Sequence, residues 1–184
     1  MRRAAFLDRD GVINRKAPEG EYITRWEEMK ILAGVPAAIA MLNHAGFHVI
    51  VVSNQRCVAK GLITSMELDS IHERLREGLV GCGARLDAIY YCPHEKQPVC
   101  TCRKPAPGML LSAAADHEID LGASWMIGDS EDDVIAGRAA GCRTALLDAG
   151  SAGERVRPDL VARSLLEAVH LITQPDGACA QADP

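Results

Sequence analysis

The sequence predicts an α/β fold, with a mainly parallel sheet between two layers of helices. Two patterns predict it: short apolar runs that break off at polar residues, and helix-period stretches filling the gaps between them. Composition agrees. Apolar residues make up 48% of the 184 residues and aromatics only 4%, so Ala, Val, Leu and Ile carry the core rather than the rings of an aromatic-rich β-sandwich. That apolar share rules out wholesale disorder. The length suits a single domain, typically about 50 to 250 residues.

Five strands are expected. Residues 3–7 end at Asp8, and the β-branched run 48–52 ends at Ser53. Residues 86–91 end at Cys92, 124–127 at Gly128-Asp129, and 143–147 at Asp148. Helices are expected over 35–45, closed by Gly46, and from the Thr64-x-x-Glu67 capping box to about residue 81. Two more cover 108–117 and 131–140, the latter closed by Gly141. Parallel sheets of this kind bind ligands at the carboxyl ends of their strands. The single domain is expected over 1–172, with 173–184 a frayed tail. The stretch 14–33 is too short for a large cap domain, which leaves the strand ends open.

Charge and cysteine content narrow the function classes. With 25 acidic and 20 basic residues the net charge is −5, which argues against a general nucleic-acid binder. No run approaches the roughly 18 apolar residues of a membrane span, and Asp8, Arg9 and Asp10 interrupt any leader-like start. Seven unevenly spaced cysteines fit a reducing cytoplasm better than a disulfide scaffold, and those that cluster suggest metal.

Chemistry-bearing residues fall at the strand ends. Asp8-Arg9-Asp10-Gly11 puts two mutually repelling carboxylates beside a buried sheet. A divalent cation compensates them, and hard oxygen donors suit magnesium. A carboxylate can also attack phosphorus while its neighbour moves protons. Read alone, an exposed turn with solvated acids serves as well. Gly128-Asp129-Ser130-Glu131-Asp132-Asp133 brings further acids to the same edge. Glu131 and Asp132 suit an ordinary helix N-terminus, and Asp129 is the better metal ligand. Ser53-Asn54 can present a hydroxyl and N–H groups to an anion, though Ser-Asn is also plain turn chemistry. Arg103-Lys104 supplies cations that can grip a phosphate or stay solvated.

Cys92-x-His94, followed by Cys100-x-Cys102, places three thiolates and an imidazole within residues 92–103. Soft donors at that spacing fit a closed, tetrahedral, structural zinc site. The loop runs directly into Arg103-Lys104 and would hold that pair rigid. Cys57, Cys82, Cys142 and Cys179 lack such grouping, and the remaining histidines are read as structural.

Taken in order, Asp8-x-Asp10, Ser53, Lys104 and Gly128-Asp129 with Asp133 resemble the haloacid dehalogenase superfamily of phosphotransferases over residues 4–150. The resemblance implies a Rossmann-like three-layer α/β/α domain and a phosphatase. It implies Asp8 as nucleophile forming an aspartyl-phosphate and Asp10 as general acid and base. Magnesium would be held by Asp8, the Asp10 carbonyl and Asp129, with Asp133 contacting metal-bound water. Ser53, Asn54 and Lys104 would hold the phosphoryl group. The zinc loop before Arg103-Lys104-Pro105 is similar to two groups, heptose bisphosphate phosphatases and histidinol-phosphate phosphatase domains. Phe6–Asn14, Tyr22-Ile23, Gly34-Val35, Asn54–Gly61 and Lys104–Met109 resemble the heptose group more closely, departing at Arg56, Cys57 and Lys60.

A physical argument bears on the substrate. Histidinol phosphate is cationic and wants acids, of which Glu19 and Glu21 stand in the front loop; a sugar bisphosphate wants cations. Arg56, Lys60 and Arg103 flank the motifs and are expected to bind its second phosphate. The resemblance therefore implies a cytoplasmic 7-phosphatase of D-glycero-D-manno-heptose 1,7-bisphosphate, monomeric, with no nucleic-acid or membrane partner. Two rivals come from other classes. A receiver-like phosphorylation switch also holds an aspartyl-phosphate between acids, a hydroxyl and a lysine, without turning over free sugar phosphates. A zinc-dependent interaction module leaves Asp8, Asp10 and Asp129 unexplained.

Overall fold

The computed structural model describes residues 1–97, 99–147 and 156–174. Six strands form one sheet: β1 (Ala4–Leu7), β2 (His48–Asn54), β3 (Ala88–Cys92), β4 (Trp125–Gly128), β5 (Arg143–Leu147) and β6 (Leu160–Ala162). Their order is β3-β2-β1-β4-β5-β6, and all pairs are parallel. The helices are α1 (Val35–His44), α2 (Ser65–Val80), α3 (Gly108–His117), α4 (Glu131–Ala140) and α5 (Leu165–Thr173).

Period-2 alternation sends the apolar strand residues into two cores. Ala5, Leu7, Val49 and Val51 join Val35, Ile39 and Leu42 of α1, Leu75 of α2 and Val169 of α5. Ala4, Phe6, Ile50 and Val52 join Met109 and Leu110 of α3 and Ala136 of α4. Both faces are covered, so the three-layer expectation holds. The four expected helices lie within a residue of their expected ends. Thr64 and Glu67 form the expected capping box, with Glu67 accepting from the Thr64 N–H at 2.8 Å.

Two elements lie beyond the sequence reading. β6 is too short to show alternation and buries only Ala162. Its register on β5, Leu146 opposite Val161, makes it the edge strand in place of β5. α5 follows Ser164, whose Oγ accepts from the Glu167 N–H at 3.2 Å. That Ser-x-x-Glu spacing was the available signal for it. The expected tail begins one residue early, because Thr173 completes α5; residues 175–184 lie outside the described residues. β2 also runs on through Ser53 and Asn54 rather than ending at 52.

Candidate active site

Connections from β1 run outward in both directions, to β2 and β3 on one side and to β4, β5 and β6 on the other. A crevice therefore opens at the carboxyl ends of β1 and β4, where the order reverses. Asp8 follows β1 and Asp129 follows β4, with Leu7 opposite both Ile127 and Val51. The same register brings the end of β2, and Ser53 with it, alongside.

Three carboxylates converge there. One oxygen each from Asp8, Asp129 and Asp133 lie within 4.8 Å of one another. Lys104 reaches into the cluster, its Nζ 2.8 Å from Asp8 Oδ1, 2.6 Å from Asp133 Oδ1 and 2.8 Å from the Val52 carbonyl. Burial pushes the Asp8 carboxyl up to about 7, with Lys104 pulling it down and Asp133 adding to the rise. Burial also works against the Lys104 charge, but Asp8 and Asp133 outweigh it and hold the ammonium above its usual range. Buried Lys104, with the exposed Lys16 beside Asp129, thus compensates only part of three crowded acids.

The remainder fits a divalent cation. Asp129 Oδ1 is buried without a hydrogen-bond partner, a state that costs free energy unless another ligand completes it. Gly11, at φ +103°, keeps the place open: a Cβ there would stand 2.0 Å from Asp129 Oδ2. Gly128 lets helix α4 close in, since its Cβ would meet that of Asp133 at 2.1 Å. All the donors are hard oxygens, as magnesium requires.

Asp10 lines the same cleft but is bonded to a different set of side chains. Its Oδ2 accepts from Arg9 Nη2 and Gln55 Nε2, both at 2.9 Å, and its Oδ1 accepts from Asn14 Nδ2 at 2.9 Å. Burial raises the Asp10 carboxyl, but Arg9, Asn14 and Gln55 together hold it below the ordinary range. Arg9 is itself buried, and its Nη1 lies 3.1 Å from His72 Nε2 on α2. Burial and the neighbouring Arg9 push His72 down to about 3, so the ring is neutral. Read from the sequence, Arg9, Asn14 and Gln55 have no role around Asp10 and His72 only a structural one; no spacing links residue 72 to residue 9.

A cleft of about 510 Å³ opens over these groups, lined by Asp8, Asp10, Ser53, Asn54, Lys104 and Asp129 among others. Ser53 is buried, and its Oγ accepts from Gln55 Nε2 at 2.8 Å. The Asn54 side chain is already engaged: its amide pairs reciprocally with the Lys104 backbone, both bonds at 3.0 Å. The Asn54 side chain therefore fixes the Lys104 loop, a role apart from the backbone N–H contact with phosphate expected of this residue.

The expected substrate cations also separate. Arg103 lines the cleft, whereas Arg56 and Lys60 do not. Arg56 is ion-paired with Glu95 of the zinc loop, and Lys60 stands over the Tyr22 ring at 5.3 Å. Glu95 neutralises the charge that made Arg56 attractive. Lys16 was missed instead: it lines the cleft and puts its Nζ 2.9 Å from Asp129 Oδ2.

The second cluster is as the spacing anticipates. Cys92 Sγ lies 3.6 Å from Cys100 Sγ and 3.3 Å from Cys102 Sγ, and His94 Nδ1 lies 3.2 Å from Cys102 Sγ. These separations match the edges of a tetrahedral ligand set. The set is pinned on both sides: Cys92 ends β3, and the N-terminus of α3 abuts it, a Cβ on Gly108 falling 2.3 Å from the Thr101 carbonyl.

Comparisons with known proteins bear on this arrangement. A family model described as HAD-hydrolase-like matches residues 101–168. The D-glycero-D-manno-heptose-1,7-bisphosphate 7-phosphatase of Thermosynechococcus vestitus is 39% identical over 93% of this chain and 95% of its own length. The corresponding β-anomer enzyme of Escherichia coli K12 is 40% identical over 78% of each chain. The chain belongs to the heptose bisphosphate phosphatase family of haloacid-dehalogenase-like hydrolases. It is a phosphatase. A D,D-heptose 1,7-bisphosphate phosphatase from B. bronchiseptica, solved with magnesium and phosphate, superimposes with a TM-score of 0.85 at 32% identity, covering 92% of this chain and 97% of that one. The Burkholderia thailandensis enzyme gives 0.71 at 28%, over 94% and 99%. Both match nearly their whole length to this chain.

Proposed function

We propose that this phosphatase hydrolyses D-glycero-D-manno-heptose 1,7-bisphosphate at C7 through an aspartyl-phosphate on Asp8. The observation that carries the reading is the Asp8–Lys104–Asp129 cluster at the sheet's switch point, in a chain whose relatives bear that activity. Asp8 attacks phosphorus, the bond to the leaving oxygen breaks, and Asp10, carrying a proton taken up with the substrate, gives it to that oxygen. Water then attacks the aspartyl-phosphate, Asp10 takes its proton, and Asp8 is regenerated with release of phosphate. Ser53 and Lys104 hold the phosphoryl oxygens, and Lys104 shields Asp8 from the approaching anion. Magnesium, on the Asp8 and Asp129 carboxylates and the Asp10 carbonyl, would neutralise the transferring group. Asp133 would touch its water and already keeps Lys104 in place.

The C7 phosphate sits on a primary carbon that can reach down to Asp8. Arg103 at the wall is the proposed partner of the remote 1-phosphate, with Lys60 behind Tyr22 and Arg56 released only if Glu95 lets go. Binding a remote group orients the reacting one. The acids Glu19, Glu21 and Asp132 also line the cleft. They are the observation that favours a second reading, histidinol phosphate. Zinc on Cys92, His94, Cys100 and Cys102 is proposed to be structural, because four protein ligands leave no open position. The thiolates suit the cytoplasm, and no helix of the described residues is long and apolar enough to cross a membrane. One sheet covered on both faces supports a single domain over 1–172.

A panel of heptose bisphosphates, histidinol phosphate and nucleotides, assayed for phosphate release with magnesium, tests the proposal. The bisphosphate should have the highest kcat/KM. Preference for histidinol phosphate reverses the substrate, and absence of any turnover returns the receiver-like reading.

A further inference from the structure

Arg9 is among the largest fully buried side chains, 1% exposed, and it sits between Asp10 and His72. A buried guanidinium needs every N–H answered. Here Nε and Nη2 point at Asp10, while Nη1 points the other way, at His72 Nε2. His72 is buried on α2, its ring tilted against Tyr91 at 5.5 Å. The only acceptor this ring can offer Nη1 is an unprotonated Nε2, so the hydrogen stands on Nδ1 of a neutral imidazole.

We propose that His72 and Arg9 are positioning residues for Asp10: His72 sets the plane of the guanidinium, and its fork holds the Asp10 carboxylate in one orientation for proton transfer. Asn14 and Gln55 complete the grip from the other sides. A carboxylate with this many fixed donors has little rotational freedom, so its approach to the leaving oxygen is set before substrate arrives. The fork geometry is what lysine could not reproduce. The assignment rests on the reading of Asp10 as the general acid and base.

The test exploits leaving-group chemistry. An alkyl phosphate needs a proton on its leaving oxygen, whereas p-nitrophenolate leaves without one. Both substrates share the later step, hydrolysis of the aspartyl-phosphate, in which Asp10 takes a proton from water. For His72→Leu, single-turnover phosphoryl transfer from heptose 1,7-bisphosphate should fall about 10–100-fold, a fraction of the full acid–base effect. Transfer from p-nitrophenyl phosphate should change by less than about threefold. Its slowed second step should then appear as a burst of p-nitrophenolate. His72→Gln, whose Oε1 can accept from Arg9, should restore both. Arg9→Lys, keeping the charge without the fork, should behave like His72→Leu. In the unaltered protein, ¹⁵N NMR should place His72 Nε2 in the unprotonated range.

A protonated Nε2 overturns the proposal whether or not a variant folds. Equal losses on both substrates with no burst, or no rescue by glutamine, overturn it too. Asp10→Asn separates the two levels. If it shows the leaving-group discrimination and His72→Leu does not, the relay falls and Asp10 keeps its role. If Asp10→Asn does not discriminate, the acid–base reading itself fails.

Discussion

Two clusters in this chain bring together groups able to hold a cation, and they are composed in opposite ways. The Cys92, His94, Cys100 and Cys102 set is local and soft: four donors within residues 92–102, between the end of β3 and the start of α3. The Asp8, Asp129 and Asp133 set is distant, hard and incomplete, its donors coming from the ends of β1 and β4 and from α4. A buried lysine takes part of its charge, and one Asp129 oxygen stays unpartnered. A closed set of donors can only hold structure. An open set leaves room for chemistry. The two meet at Arg103 and Lys104, which follow Cys102 directly and bring the Lys104 charge to Asp8 and Asp133.

Four measurements would break or sharpen that contrast. The largest effect is expected from Asp8→Asn, nearly isosteric but not a nucleophile towards phosphorus: phosphate release should fall to the blank, with the melting temperature kept within a few degrees. Appreciable turnover would remove Asp8 from its role.

Next, the clusters should part under chelation. Brief EDTA should abolish activity, and added magnesium should restore it, while zinc stays with the protein by elemental analysis. Cys100→Ser should lose zinc, lower the melting temperature and reduce activity through Lys104. Zinc-free protein purified under reducing conditions would end the structural role of the loop.

Arg103→Ala should lower kcat/KM for the bisphosphate about 10–100-fold more than for a heptose monophosphate, the value of one charge-assisted contact. The same change at Arg56 should discriminate far less, because Glu95 already holds it. Equal losses on both substrates would place the second phosphate elsewhere.

The smallest effect is on stability. His72 faces Arg9, Asp10, Arg76 and the Tyr91 ring, and in the folded protein it is pushed down to about 3. The unfolded chain, with a histidine near the usual value of about 6.5, takes up the proton first as pH falls. Its contribution is therefore full above about pH 6.5 and is lost on the way down to about 3, by up to about 1.4 kcal/mol per pH unit. Urea unfolding from pH 7 to 4 should show a shallower slope for His72→Gln than for the unaltered protein. Identical slopes would mean that His72 is not buried neutral.

These tests also mark what could be read without coordinates. The Cys92–Cys102 cluster needed only spacing, because its ligands are neighbours in the chain. Asp8 and Asp129 were legible because buried parallel strands end abruptly and present that end to the ligand, and Lys104 because it belongs to a basic pair just before a helix. Arg56 shows the limit: nearness in sequence to Ser53 suggested a substrate contact, and Glu95, 39 residues on, took the charge instead. Lys16 shows the converse, since nothing in its loop foretells that it meets Asp129, 113 residues away.

The sequence by itself determined the layered α/β architecture, the edge at which chemistry occurs, the acids there and the soft-donor loop. These follow from local rules of periodicity, capping and donor type, which act over a few residues. Only the tertiary structure decided how charges are partnered: Lys104 against both Asp8 and Asp133, Arg9 between Asp10 and His72, Asn54 on the Lys104 backbone, Arg56 on Glu95. Such pairings depend on distances of a few ångströms between elements far apart in the chain. Coulomb and hydrogen-bond energies fall off over that same length, so periodicity can name the charged residues but not their partners.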